Sequence, residues 1–412
     1  MNKFFNFVIC FLALVLGVGG GAVYMVYASL PETEELIIGE ETFYSYNSTD
    51  DISKVQLSNE EGELSVHFLE LGNKYTGDCT YIRYGDVDIL IDCGSKSSSI
   101  PYVESYLKSY MQDSTIEYCI VTHAHTDHYA GFATGGKTKS LFELFSYENI
   151  IDFGSATNKD ATTGALKKYI TKRNLAKTED GKTPEYYDVS ASAEKGNNKV
   201  YSIGENGEVK LEILYNYYYN NKINGTENNY SVCALLTYEE KTFLFTGDLE
   251  EHGSSGETKL LEDNVSLQNI KNNGKEHGVD VYKAGHHGSK TSSSEDFIAA
   301  IRPKVVCVCC CAGSEEYTKD INNQFPTQQF INIIAKYTKY IYVTTLCVNW
   351  EEDEFTSMNG NIVVIVKPKE NNEVDFGVNC SNNNTILKDT EWFNREIEVN
   401  GVKRPMRTWP TN

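Results

Sequence analysis

Three histidines and an aspartate fall within six residues of the stretch Val121-Thr-His-Ala-His-Thr-Asp-His-Tyr-Ala-Gly131. The whole chain holds only eight histidines, so surface chance explains this concentration poorly. The run IEYCIVTH that leads into it reads as a buried strand. In extended backbone, residues two apart point the same way. His123 and His125 can therefore grip one cation. Asp127 and His128 come after the chain turns and, being adjacent, can aim at a neighbouring position. Imidazole and carboxylate together suit zinc, with manganese or iron also acceptable.

Two further pieces carry the same chemistry. In KTFLFTGDLE, Asp248 lies just past an apolar strand and behind a glycine, where a carboxylate can bridge two cations. Taken alone, most Gly-Asp pairs are simply turns. In VYKAGHHGSKTSSS another strand ends in glycine and histidine. Either His286 or His287 can complete the second cation position. His286, nearer the strand end, is the favoured ligand, which leaves His287 to touch substrate. Ser289 and Lys290 offer a hydroxyl and an ammonium to an anion, although Ser289 interrupts the order of a true phosphate loop. His67, on a strand, and His252 and His277, in polar segments, have structural or surface readings.

The elements that position these residues are short. LSVHFLEL, CTYIRYG and VDILIDCG are strand-like runs broken by Gly and Asp. SIPYVESYLKSYMQ has helical spacing, and TKSLFELFSY and TGALKKYITKRNLAK are expected to be helical. VKLEILYNYYYN, YSVCALLTYEEKTFLFTGD and VDVYKAG form a second group of strands. SSSEDFIAAIRP is a capped helix, KVVCVCCC a strand, TQQFINIIAKYT a helix, and IYVTTL and NIVVIVKPK strands. Two groups of strands with helices interspersed suit two sheets sandwiched between helices.

Composition sets outer bounds. The 412 residues carry a formal charge of −21, which repels polyanions and disfavours a generic nucleic-acid binder. A small anionic substrate held by cations remains compatible. The eleven cysteines include the cluster Cys307, Cys309, Cys310 and Cys311, which reads as a buried strand using cysteine as a small hydrophobe. Phe4 to Tyr27 contains no charged residue and follows Lys3. It is expected to be a signal peptide or membrane anchor (1–28) that places the remainder outside the cytoplasm. An acidic linker (29–62) follows, and the tail (381–412) is uninformative.

The order H-x-H-x-D-H, then G-D, then H-H-G-S, each after a strand, resembles the metallo-β-lactamase superfamily of hydrolases. More narrowly, it is similar to the hydrolase domain of the DNA-uptake channel protein ComEC and its free-standing relatives. HFLELGNKYTGDCTYIRYGDVDILIDCG resembles that group's opening strands, and the likeness runs over roughly residues 64 to 368. The resemblance implies an α/β (α+β) fold, an αββα sandwich over residues 63–380, with the site at one edge. It implies His123, His125, Asp127, His128, Asp248 and His286 as ligands of two divalent cations, zinc before manganese or iron, and Asp92 as their support. Asp127, Asp248 and His287 would carry the catalytic roles. The wider superfamily keeps one more metal histidine between the cluster and the G-D aspartate, whereas this chain has none from residue 129 to 247. A water or a group near Asn228, Asn229 and Ser231 is expected in its place. The implied reaction is hydrolysis by a metal-bound hydroxide, first of all of a phosphodiester. The alternatives are a nuclease serving DNA uptake or degradation and a non-catalytic, metal-stabilised binding protein.

Overall fold

The computed structural model describes residues 62–411 apart from 134–137, 155–163, 222–225, 369–373 and 400, together with short strands at 35–38 and 41–44. The apolar segment at the N-terminus lies outside the described residues.

Two large sheets dominate. The first runs in the order β1 (Glu35–Ile38), β2 (Glu41–Tyr44), β18 (Val374–Cys380), β17 (Ile362–Pro368), β3 (Leu64–Phe68), β4 (Thr80–Tyr84), β5 (Val87–Ile91), β6 (Thr115–Val121), β7 (Ser146–Asp152) and β8 (Glu185–Asp188). The second runs β16 (Glu354–Ser357), β15 (Ile341–Asn349), β14 (Val305–Ala312), β13 (Val281–Lys283), β12 (Lys241–Phe245), β11 (Cys233–Tyr238), β10 (Val209–Leu214) and β9 (Lys199–Ile203). β5, β6, β7 and β8 are mutually parallel, as are β12, β13, β14 and β15. Parallel neighbours deliver their carboxyl ends to a common edge, where loops of both sheets meet.

Alternation along the strands builds two cores. Leu211, Leu236 and Phe243 pack with residues of the first sheet, and Phe68 meets Phe245 at a ring separation of 6.3 Å. Leu235 and Leu244, one residue out of phase, pack instead with helices α5 (Glu257–Asp263), α6 (Val265–Lys271), α7 (Glu295–Ile301) and α8 (Gln328–Ile334). Ahead of these in the chain come α1 (Ile100–Tyr110), α2 (Thr126–Ala133), α3 (Leu141–Leu144) and α4 (Gly164–Leu175). The cysteine-rich strand obeys the same alternation. Cys307 and Cys309 enter the first core and Cys310 the second.

Two local readings differ from the structure. SLFELFSY holds only the one-turn helix α3, and its end is already β7, where Tyr147, Ile150 and Ile151 are buried. YNYYYN leaves the sheet at Leu214 and closes a helical turn at Tyr217–Asn220, capped by the Asn216 side chain. The tail is anchored: Trp392, Phe393 and Met406 enter the second core. Arg407, buried, donates to the carbonyls of Ile321, Gln324, Pro326 and Met406.

Candidate metal centre

β6 ends at Val121, and the next residues form a tight turn into α2, whose first turn carries Asp127 and His128. Asp92 follows the parallel neighbour β5 and adopts φ 62. This left-handed backbone is unusual for a residue with a side chain. It lets the carboxylate accept from Thr122 N at 2.7 Å, Thr122 Oγ1 at 2.8 Å and His128 Nδ1 at 2.8 Å. Gly94 allows the Asp127 loop to lie against it, since a Cβ there would stand 1.6 Å from the Asp127 carbonyl. From the second sheet, β12 delivers Asp248 through Gly247, and β13 delivers His286 and His287 through Gly285. The Asp248 N–H is held by Ser231 Oγ at 3.0 Å.

The hydrogen bonds fix which nitrogen of each ring faces inward. The Cys309 carbonyl can only accept, so His287 Nδ1 donates to it at 2.9 Å. His128 Nδ1 donates to Asp92. Thr122 has given its own proton to Asp92, so its oxygen accepts from His123 Nδ1 at 3.1 Å. By the same logic, Thr291 donates to Glu250, so His286 Nδ1 donates to Thr291 Oγ1 at 3.1 Å, beside Glu250 Oε1 at 3.1 Å. Each ring therefore turns Nε2 inward. The four Nε2 atoms lie 3.2 Å (His128), 3.4 Å (His287), 3.9 Å (His123) and 3.9 Å (His286) from one atom, Asp248 Oδ2.

Several of these atoms lack partners. Nε2 of His128 and of His287, and Oδ1 of Asp248, are buried without a hydrogen bond. An unsatisfied buried polar group costs about 1–3 kcal/mol. His125 Nδ1 sits 3.0 Å from His123 Nε2, close to the roughly 3.3 Å edge of a tetrahedron of nitrogens around zinc. These residues fit a site for divalent cations. Among the described residues, Asp78, His128, Asp248 and His287 form a group whose ligand atoms lie within 4.8 Å of one another.

Charge follows from the same packing. Burial opposes a proton on His128, but Asp248 and Asp92 outweigh it and raise the imidazole well above its ordinary range. His287 behaves alike, with Asp248 and Asp78 overcoming burial. His123 is driven the other way, by burial and then by the neighbouring His128. Burial favours the neutral form of Asp127 and of Asp248, yet the surrounding imidazoles hold both carboxyls below the carboxylate range. Burial dominates at Asp92 and raises it.

His123, His125, Asp127, His128 and Asp248 converge, and Asp92 supports them. The two histidines of the dipeptide do not take the places expected of them: His287, not His286, stands beside Asp127 and His128. His287 is the fully buried one, with Nε2 3.5 Å from Asp127 Oδ2 and near His128. His286 is 22% exposed, with Nε2 3.9 Å from Asp248 Oδ2 and Nδ1 against Glu250. The reason is backbone: φ is 44 at His286 and 54 at His287, so the alternation of an extended strand does not apply. Ser289 and Lys290 point elsewhere, to Thr291 at 3.0 Å and Asn323 at 2.7 Å. Asn229 is spent on the Glu250 carbonyl and on Thr226, and Ser231 acts through the Asp248 backbone.

Four contributors escaped sequence reading. Asp78 presents Oδ1 3.1 Å from His287 Nδ1, while its Oδ2 is taken by the Lys283 ammonium. Lys283 is 3% exposed and lies 4.0 Å from Asp248 Oδ1. With one oxygen neutralised, Asp78 stands behind His287 rather than beside it as a ligand. Glu250 stands behind His286. Tyr317 donates to Asp127 Oδ2 at 2.7 Å. Two of them left a signal: a lone lysine inside the apolar run VDVYKAG, and a second Gly-Asp pair in TGDC.

A sequence profile of the metallo-beta-lactamase superfamily matches residues 72–137 and 221–312, the segments that carry this site. Over these two segments the chain matches the metallo-beta-lactamase superfamily, in line with the resemblance read from its motifs. The chain is 36% identical over 83 residues to ComE operon protein 3 of Bacillus subtilis, a match covering 20% of this chain and 9% of that protein. Among solved structures, the metallo-beta-lactamase fold protein YhfI of Bacillus subtilis aligns with TM-score 0.39 and 11% identity, over 69% of this chain and 96% of YhfI. The short form of human tRNase Z aligns with TM-score 0.31 and 14% identity, over 60% and 92%.

Proposed function

We propose that this protein is a hydrolase dependent on divalent cations, zinc first, acting on a compact phosphodiester outside the cytoplasm. The observation that supports it most is the convergence of four inward-facing Nε2 atoms on Asp248 Oδ2. Lone pairs so arranged repel unless protons or cations lie among them. When bound, the cations supply Lewis acidity, polarising a phosphoryl oxygen and drawing the pKa of a water toward about 7.

The chain's own groups do the rest. Asp248 offers one carboxylate to both cation positions. Asp127 Oδ2, held by the Tyr317 hydroxyl, would hold and orient the attacking water. Asp92 and the Cys309 carbonyl keep His128 and His287 in the tautomer that turns Nε2 inward. A charge of −21 favours a small diester over long nucleic acid.

The test is turnover of bis(p-nitrophenyl) phosphate by the purified chain loaded with zinc or manganese. Metal-dependent hydrolysis is expected, and Asp127→Asn should reduce it by at least about 100-fold with the fold intact by circular dichroism. Absence of turnover with metal bound would move the reading to a carboxylic ester or lactone. Tight, salt-sensitive binding and cleavage of single-stranded DNA would move it to a nuclease.

A further inference from the structure

We propose that His286 completes the first cation position, beside His123 and His125, in place of the histidine this chain lacks between residues 129 and 247. One dipeptide then serves both positions, His286 the first and His287 the second. This rests on the metal-dependent reading above but not on the choice of substrate.

Three observations carry it. His286 Nε2 lies as far from Asp248 Oδ2 as His123 Nε2 does, 3.9 Å each. His287 Nε2 instead approaches Asp127 Oδ2, which marks the other position. Second, His286 is oriented as a ligand is. Its Nδ1 is committed to Thr291 Oγ1 and Glu250 Oε1, both at 3.1 Å. Glu250 is itself fixed by Thr291 Oγ1 at 2.5 Å and Thr226 Oγ1 at 2.8 Å. A carboxylate behind Nδ1 holds the ring and leaves the Nε2 lone pair for a cation; Asp92 does the same for His128. Third, the backbone provides for two inward rings in succession. Neighbours on a strand point to opposite faces, but here both residues have positive φ. Their ring centroids are 6.0 Å apart, and the turn is pinned by His286 N–H donating to the Gly247 carbonyl at 3.2 Å.

The competitors for the first position are weaker. Asn229 and Ser231 spend their side chains on hydrogen bonds. Asn228 Oδ1 is buried without a partner and is the one rival to exclude.

The experiment is equilibrium dialysis of the full chain against zinc buffered by a chelator, with bound metal counted by mass spectrometry. Wild type should hold two ions. His286→Ala should hold one at wild-type affinity and lose the other by at least about 100-fold. His287→Ala should spare the ion that His286→Ala loses, so the double variant holds neither. Glu250→Gln, which keeps the His286 ring, should weaken only the first ion, by about 10–100-fold. Asn228→Ala should hold both. The proposal is overturned if His286→Ala keeps two ions at wild-type affinity. It is equally overturned if Asn228→Ala is the variant that loses the first, or if wild type binds fewer than two. Two ions lost and kept as described, with no phosphodiester turnover, would sink the proposed reaction and leave this assignment standing.

Discussion

The two histidine-bearing loops do the same work by different means. The loop from Thr122 to His128 is supported by its nearest neighbours. Asp92, on the adjacent strand end, fixes both Thr122 and His128, and α2 supplies a regular backbone. The loop from Gly285 to Ser294 has left-handed backbone at His286, His287 and Ser293 and is supported from afar. Asp78 and Lys283 come from different sheets. Glu257 of α5 accepts from the N–H groups of Ser293 and Ser294 at 2.5 and 2.7 Å. Thr327 N–H donates to the Gly288 carbonyl, and the stretch just before Thr327 is held by Arg407 from the tail, which donates to the carbonyls of Ile321, Gln324 and Pro326. One loop is held by local geometry, the other by a consensus of remote elements. Damage to a distant residue should therefore reach the second loop and spare the first.

The largest expected effect tests that dependence. Lys283→Met removes the ammonium that neutralises one oxygen of buried Asp78 beneath His287, and losing one partner of a buried pair costs about 3–5 kcal/mol. Urea denaturation of the metal-free chain should show it, and Lys283→Met combined with Asp78→Leu should recover most of the loss. A single variant as stable as wild type would break the contrast.

The next effect is pH. Burial raises Glu257, which accepts N–H groups of Ser293 and Ser294, from 4.5 to about 7. The folded chain then binds a proton that the unfolded chain releases between pH 4.5 and 7. Stability from this group is present below pH 4.5 and lost as pH rises through about 7, on the order of 3 kcal/mol. Wild type should lose about that much more stability between pH 4.5 and 8 than Glu257→Gln does. Parallel pH curves for the two would remove the account of how this loop is anchored.

The smallest effect belongs to the first loop. Asp92→Asn keeps the size of the side chain and weakens its hold on His128 and on the Thr122 hydroxyl. Metal affinity should fall by about 10–100-fold, that is about 1.4–2.7 kcal/mol, most at the position that His128 serves. Competition against a chromophoric chelator measures it. Equal weakening of both ions would show that the loops are not independent.

This contrast also explains what could be read from sequence. His123, His125, Asp127, His128 and Asp248 were legible because their spacing acts through regular strand ends, and Asp92 because the family likeness covers its strand. The placement of His286 and His287 was misjudged, because distance from a strand end is a guide only while the backbone stays extended. Asp78 and Lys283 were missed although each was visible, since a carboxylate and an ammonium 205 residues apart declare themselves a pair only when the sheets meet. Tyr317 and Arg407 gave no pattern at all. Ser146 and Tyr147, the start of β7, were read as helix because the Leu141–Phe145 approach has helical spacing, whereas pairing with β6 decided it.

By itself, the sequence determined the inventory: which imidazoles and carboxylates stand at the ends of which apolar strands, and that their chemistry is that of divalent cations. Periodicity and turn chemistry act over a few residues, and such information is local. The tertiary structure decided which nitrogen of each ring faces inward, which carboxylate is neutralised by Lys283, and which histidine of the pair is buried. Those outcomes depend on hydrogen-bond partners and charges brought from other strands, and on a left-handed turn that only the surrounding packing holds in place.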